Sequence, residues 1–365
     1  MISCEMSSKP TSRERGFSLL ELMIALLIFM IVTGAIYGLM QLGMYDRNRS
    51  SRRSDVLKNA RVAVHMIGRD VLNAGLGYHR RGAIVPDNFN STRLGVTADV
   101  DSVRDMLTAV VAGNDLYTNN LNTDPNLRTD QIAFAYRDME FNAGDVINLS
   151  GVSAGGTLAV PRLTANTSTG AAAAQPYDLY LVESDTSQVL IMATSVNGSN
   201  TIDAAPGDPV GLNQALNGTG QNGSLLRRCT SSSDTNCTTY SATAKRVFLV
   251  SYKVKPDGTL IRTVYGNNRG AGSTAQIQEL PLAYNIEDFQ IKYILGDGTA
   301  SDKPSAGPDN IVGTTDDDWQ GLNAVRQVQI TVKVQSTDID EKTQKPESIT
   351  ITSTFATRNL GYDAG

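Results

Sequence analysis

Arg15-Gly16-Phe17-Ser18-Leu19-Leu20-Glu21-Leu22-Met23 opens an apolar run that continues to about Met44. A run of that length can cross a bilayer, which takes roughly 20 apolar residues in helical form. Glu21 is the only charged side chain inside it. A carboxylate in a hydrocarbon core costs about 2.5–3.5 kcal/mol on insertion scales, so Glu21 calls for a functional partner. Lys9, Arg13 and Arg15 form a short basic leader ahead of the run. An ordinary membrane anchor shares the length and the leader. A secretory signal does not fit, because its apolar stretch is about 7–15 residues and its cleavage site follows that stretch.

The order here is reversed, with Gly16-Phe17 placed before the apolar run and Glu21 just inside it. That arrangement resembles the processing site of type IV prepilins. The resemblance implies that a prepilin peptidase cuts between Gly16 and Phe17 and that Phe17 is then N-methylated. It also assigns Glu21 a role in subunit assembly, as the partner of a neighbouring subunit's new N-terminal ammonium.

A second pattern takes over from about Arg52 to Ala74. Val56, Ala60, Val64, Ile67 and Val71 recur at helical spacing, widened by Leu57, Ala63 and Met66. Arg53, Lys58, Arg61, Arg69 and Asp70 are expected to point away from that stripe. Gly75 and Gly77 are stop signals, and no proline interrupts the chain from Phe17 to Tyr78. A continuous helix over that stretch would be roughly 90 Å long. Gly34, Gly38 and Gly43 are positions where it could bend or pack closely. The segment from His65 through Asp70, Ala74 and Gly75 to Tyr78 is similar to the helix end of PilW-type minor pilins.

Beyond the helix the signals are those of strands. Val247–Val254 and Thr259–Tyr265 flank Lys255-Pro256-Asp257-Gly258, a strong hairpin signal because glycine tolerates positive φ. Asn285–Ile294 and Val325–Val334 alternate apolar and polar positions, and Ser348–Phe355 reads as a last strand. Gln131–Tyr136, Asp145–Leu149, Asp178–Val182 and Gln188–Ala193 are further strand candidates. Val103–Val111 fits a short helix or a buried strand. The small-residue stretches Ser150–Gln175 and Asn197–Thr243 read as surface loops or insertions. The hairpin, the Ile286-Glu287-Asp288-Phe289-Gln290-Ile291-Lys292-Tyr293 strand and the terminal Arg358-Asn359-Leu360 are again similar to the PilW family. J-type pseudopilins of type II secretion share much of that plan.

The fold expected from these readings is α+β and type IV pilin-like. A long N-terminal helix, half membrane-spanning and half amphipathic, packs on an antiparallel β-sheet head with large loop insertions. The divisions are residues 1–16 as a cytoplasmic leader that is removed, 17–45 as the transmembrane and pilus-core helix, 46–78 as the amphipathic half, and 79–365 as a periplasmic head. Basic residues alone leave the orientation open, since Arg47, Arg49, Arg52 and Arg53 crowd the far end of the run as well. The resemblance decides it, because prepilin peptidase acts at the cytoplasmic face. It implies an inner-membrane, single-pass protein that passes into a pilus at the cell surface. Its partners would be the peptidase, other major and minor pilins, and the inner-membrane assembly platform.

In 365 residues with 41% hydrophobic and 19% charged side chains, wholesale disorder is excluded. A formal net charge of -5 argues against a nucleic-acid binder. Of three cysteines, Cys4 lies in the leader, leaving Cys229 and Cys237 as a pair. Outside the cytoplasm they can close a disulfide; zinc is the alternative and would need ligands beyond the distant His65 and His79. No nucleophile–base constellation, phosphate-binding loop or zinc-protease motif is present, so enzymatic activity is not expected and no cofactor is required. Asp297, Asp302, Asp309, Asp316, Asp317 and Asp318 lie in one acidic loop. It reads either as a calcium site, whose oxygen ligands would come from these side chains, or as a solvated loop of repelling charges. The functional expectation is a minor pilin acting in pilus assembly or initiation, with a place near the tip open to it. The alternatives are a type II secretion pseudopilin and a tip-exposed adhesin or binding module.

Overall fold

The structure, a computed structural model, describes residues 16–96, 104–122, 124, 126–155, 160–165, 173–184, 187–198, 200–214, 242–304, 324–340 and 343–360. Two compact units divide the chain, one ending at Ser54 and the other beginning at Asp55. A single helix, α1 (Leu19–Asn73), contributes to both. Its first part is apolar all round and exposed along its length, as Leu20, Leu27, Phe29, Ile31 and Leu39 show. That segment is long and apolar enough to cross a membrane.

From Asp55 onward the helix carries the expected stripe, with Val56, Ala60, Ala63, Val64, Ile67 and Val71 buried in the main core. Gly68 joins them because Phe355 crosses directly over it, and a β-carbon there would collide with the ring. The helix stops where the glycines stand. Gly75 takes φ +80° and donates its N–H to the Ala135 carbonyl at 3.0 Å, and the Leu76 carbonyl accepts from the Arg137 N–H at 2.8 Å.

In chain order, the elements that follow are β1 (Ala83–Ile84), α2 (Phe89–Leu94), β2 (Met106–Leu107), β3 (Val110–Thr118) and β4 (Arg128–Arg137). Then come β5 (Ile147–Gly155), β6 (Val160–Ala165), β7 (Leu179–Ser184), β8 (Gln188–Met192), β9 (Ser195–Asn197) and β10 (Thr201–Asp203). The last group is β11 (Ala242–Val254), β12 (Leu260–Tyr265), β13 (Ile277–Ala283), β14 (Ile286–Leu295), β15 (Ala300–Ser301), β16 (Val325–Ile339) and β17 (Pro346–Ala356). A long helix and a large, mostly antiparallel β region make the class α+β. Among the described residues one sheet runs β15-β14-β16-β17, and a larger one is built around β11. Only β1 with β8 pairs in parallel among them.

The strand β11 is shared between two neighbourhoods. Ala242–Arg246 pairs with β7, and its first three residues also pair with β5. Val247–Lys253 pairs with β4, and Leu249–Val254 with β12. The β11–β12 turn forms at the expected residues. Lys255 N–H donates to the Thr259 carbonyl at 2.9 Å, Gly258 N–H to the Lys255 carbonyl at 2.9 Å, and Gly258 takes φ +79°.

Two apolar cores result. The main one lies among α1, β3, β4, the second part of β11, β12, β14 and β16. The smaller one lies among β5, β6, β7, β8 and β10. Period-2 alternation lets β7 and β8 serve both. Leu179, Leu181, Leu190 and Met192 belong to the main core, while Tyr180, Val182, Val189 and Ile191 belong to the smaller one.

Three expectations need correcting. Ser150–Gln175 is not simply loop, because β5 continues to Gly155 and β6 returns against it, burying Leu163 and Ala165. The glycine, serine, threonine and alanine that fill Ser150–Gln175 hid that pair. Within Asn197–Thr243, β10 and the buried Val210 and Leu212 belong to the folded body. Asp70 does not face away from the stripe; it is fully buried. Val103–Val111 resolves in favour of strand, in β2 and the start of β3.

Candidate functional site

The first candidate site is the head of α1. Gly16 and Phe17 precede the helix, with Phe17 86% exposed and open space around the position of a Gly16 β-carbon. Ser18 occupies the cap position, and its backbone N–H donates to Glu21 Oε2 at 3.2 Å. This is the back-reaching half of a capping box, in which the third residue of a helix satisfies the cap's own N–H. Ser18-x-x-Glu21 is therefore a legible helix-start signal that the apolar run had obscured. Glu21 also suits the helix dipole, since a carboxylate stabilises an N-terminal turn. The side chain remains exposed.

The second is where α1 is fastened to the β region. Asp70 Oδ2 accepts from the Tyr252 hydroxyl at 2.5 Å and from Arg262 Nε at 3.0 Å, while Oδ1 accepts from the Tyr136 hydroxyl at 3.1 Å. Burial first, and the Asp70 charge second, push the Tyr252 phenol up, so the hydroxyl stays a donor. Tyr136 is pushed up for the same two reasons. The signal available in the sequence was an aspartate directly between core positions Ile67 and Val71, at i+3 from the first.

The remaining sequence candidates divide. Asp297 Oδ1 accepts from the Thr299 N–H at 2.9 Å and its hydroxyl at 2.7 Å, which holds the carboxyl below its usual range. It therefore closes the turn after β14. Asp302 is exposed. Among the described residues no three His, Cys, Asp or Glu side chains gather as a metal-binding group. Asp309, Asp316, Asp317, Asp318, Cys229 and Cys237 lie outside the described residues.

A prokaryotic N-terminal methylation motif matches residues 11–37. It supports a type IV prepilin-like protein with a structural role as a pilin or pseudopilin, and it implies processing by prepilin peptidase and assembly with other pilins. The apolar start of α1 fits a membrane-anchored, single-pass chain. No curated protein matches the sequence. A solved DUF4785 family protein from Legionella pneumophila is 12% identical, over 61% of this chain and 58% of that one, with a TM-score of 0.13. At that score it carries no argument about the fold.

Proposed function

We propose that the chain is a PilW-like minor pilin, a structural subunit that takes part in assembling or initiating a type IV pilus. Prepilin processing is supported by the Gly16-Phe17 junction immediately ahead of the capped, exposed apolar part of α1, and the finer PilW-like assignment by the similarity of the helix end at Asp70–Tyr78 and of the Ile286–Tyr293 strand to that family. In the proposed sequence of events, peptidase removes residues 1–16 at the cytoplasmic face and Phe17 is methylated. The apolar helix then leaves the membrane for the pilus core, with the head in the periplasm throughout. Mass spectrometry of the mature chain should find Phe17 at the N-terminus. Retention of Cys4 would overturn the reading.

The methylation motif serves a secretion pseudopilin equally well, so that reading is kept beside the first. Deleting the gene and scoring piliation, protein secretion and adhesion separately distinguishes them. Loss of pili supports the minor pilin. Loss of secretion with pili intact supports the pseudopilin, and loss of adhesion alone supports a tip-exposed binding module.

A periplasmic head also makes Cys229 and Cys237 a disulfide in this proposal. Closing so short a loop contributes about 2–3 kcal/mol. Non-reducing peptide mapping should show the linked peptide. For the acidic loop, calcium is the cation proposed, and calcium should raise the melting temperature of the protein where chelator does not.

A further inference from the structure

Where α1 ends, a cleft of about 710 Å³ opens between the helix terminus and the sheet. Ligand sites commonly span about 300–1,000 Å³. Four arginines line it, Arg69, Arg137, Arg246 and Arg262, beside an apolar wall that includes Leu76, Phe248 and Val264.

The arginines are unequally committed. Arg246 is spent, through Nη1 on Asp138 at 2.6 Å and Nε on Asp178 at 3.2 Å. Arg262 uses only Nε, on Asp70 and the Tyr252 hydroxyl. Its terminal nitrogens have no partner among the described residues, although the side chain is only 13% exposed. The Arg137 side chain donates through Nη2 to the Gly144 carbonyl and makes no other hydrogen bond among the described residues. Arg69 is 56% exposed and approaches Asp70 no closer than 3.9 Å. A guanidinium offers five N–H donors in a planar fork matched to a carboxylate.

Two carboxylates line the same cleft. Asp138 is consumed, accepting from Arg246 and from the backbone N–H groups of Glu140 and Phe141. Glu140 is exposed at the rim. With the internal pairs cancelled, Arg69 and Arg137 exceed Glu140 by one positive charge. That surplus suits a single negative charge better than a dianionic phosphate, and the wall suits an apolar body behind it.

We propose that this cleft binds a monoanionic carboxylate carried on an apolar or aromatic body. The carrier is either a free acid or an acidic peptide with a neighbouring aromatic side chain. The inference is independent of the pilin reading.

The probe is 4-fluorophenylacetate, followed by fluorine NMR with the full chain in zwitterionic detergent. Arg69→Gln with Arg137→Gln should weaken binding about tenfold or more, since hydrogen bonds to charged groups contribute about 1.5–3 kcal/mol. Arg137→Gln also removes the hydrogen bond to the Gly144 carbonyl and should lower the melting temperature modestly, whereas Arg69 is 56% exposed, so Arg69→Gln alone should keep the parent's melting temperature and still weaken binding. Glu140→Gln should tighten binding by removing the competing carboxylate. Equimolar inorganic phosphate should displace the probe less than unlabelled phenylacetate does. A capped Phe-Glu dipeptide displacing the probe better than phenylacetate assigns a peptide source, and the reverse assigns a free acid. Equal binding to parent and double variant, or stronger displacement by phosphate, would overturn the proposal.

Discussion

Asp70 is the residue whose environment departs furthest from its sequence context. Its carboxylate is balanced by one arginine and oriented by two phenols. Removing one partner of a buried pair costs about 3–5 kcal/mol, because the remaining charge is left uncompensated. Asp70→Asn should destabilise the protein by that order in urea unfolding, with little change in denaturant slope. Asp130 makes a second prediction. Its Oδ1 accepts from the Asp115 N–H at 2.9 Å and its Oδ2 from the Ile291 N–H at 2.7 Å, so it ties β4 to β14 in the other sheet. Burial pushes this carboxyl up to about 7. The two N–H groups oppose that rise, and the charges of Asp115 and Asp288 add to it. In the unfolded chain the group titrates near its ordinary value of 3.8. Between those values the native state holds more protons, so stability is greatest below about pH 4 and is lost as pH rises towards 7. Asp130→Asn removes that dependence. From pH 5 to 7.5 the stability of the parent relative to the variant should fall by about 2–3 kcal/mol. Parallel curves would refute the assignment.

At the scale of elements, legibility followed the size of the side chains. The second part of α1 was readable because its stripe is made of valine, isoleucine and alanine at 3.6-residue spacing and ends at Gly75. The β11–β12 hairpin was readable because Pro256-Asp257-Gly258 offers one geometry at low cost. Gly258 is held there twice over. Its φ is positive, and a β-carbon would collide with the Leu121 side chain and meet the Ile286 carbonyl oxygen at 3.0 Å. Gly258→Ala should therefore lower stability by at least about 1–2 kcal/mol, the usual cost of a side chain in the left-handed region, read as a drop in melting temperature. The start of β5 was readable, but its end and β6 were not, because glycine, serine, threonine and alanine dominate the stretch Ser150–Gln175 that holds them. The same composition serves a loop or a strand, and only cross-strand pairing decides. Asp70 escaped for a different reason: a charged residue on an amphipathic helix is ordinarily solvated, and its partners lie 66, 182 and 192 residues away.

For the whole molecule, function divides as the chain does. Assembly is proposed to reside in the apolar part of α1, where Glu21 now caps Ser18. After cleavage the chain would begin at Phe17, four residues from that carboxylate. In an apolar helical bundle the same carboxylate can meet the ammonium of a neighbouring subunit. Glu21→Ala should leave cleavage and membrane insertion intact while excluding the protein from sheared pili by immunoblot. Normal incorporation would count against the pairing. The prepilin-like motif was legible in the amino-acid order alone, because it lies in consecutive residues. The arginine cleft was not, because its lining is drawn from α1, β4, β11 and β12.

The division of β11 has one further consequence. Arg137, the last residue of β4, stands opposite Val247, so the chain leaves the neighbourhood of β4, β11 and β12 and re-enters it at facing positions. More than a hundred residues are spent between those two neighbours, enough to build the smaller core. Such an excursion is free to change length over evolutionary time without disturbing where the chain resumes. What inheritance must keep is one face of β7 and β8, where Leu179, Leu181, Leu190 and Met192 roof the main core, together with Val210 and Leu212, which join it. Lineages that shorten this region should shed β5, β6, β9 and β10 first and retain those four leucine and methionine positions as apolar.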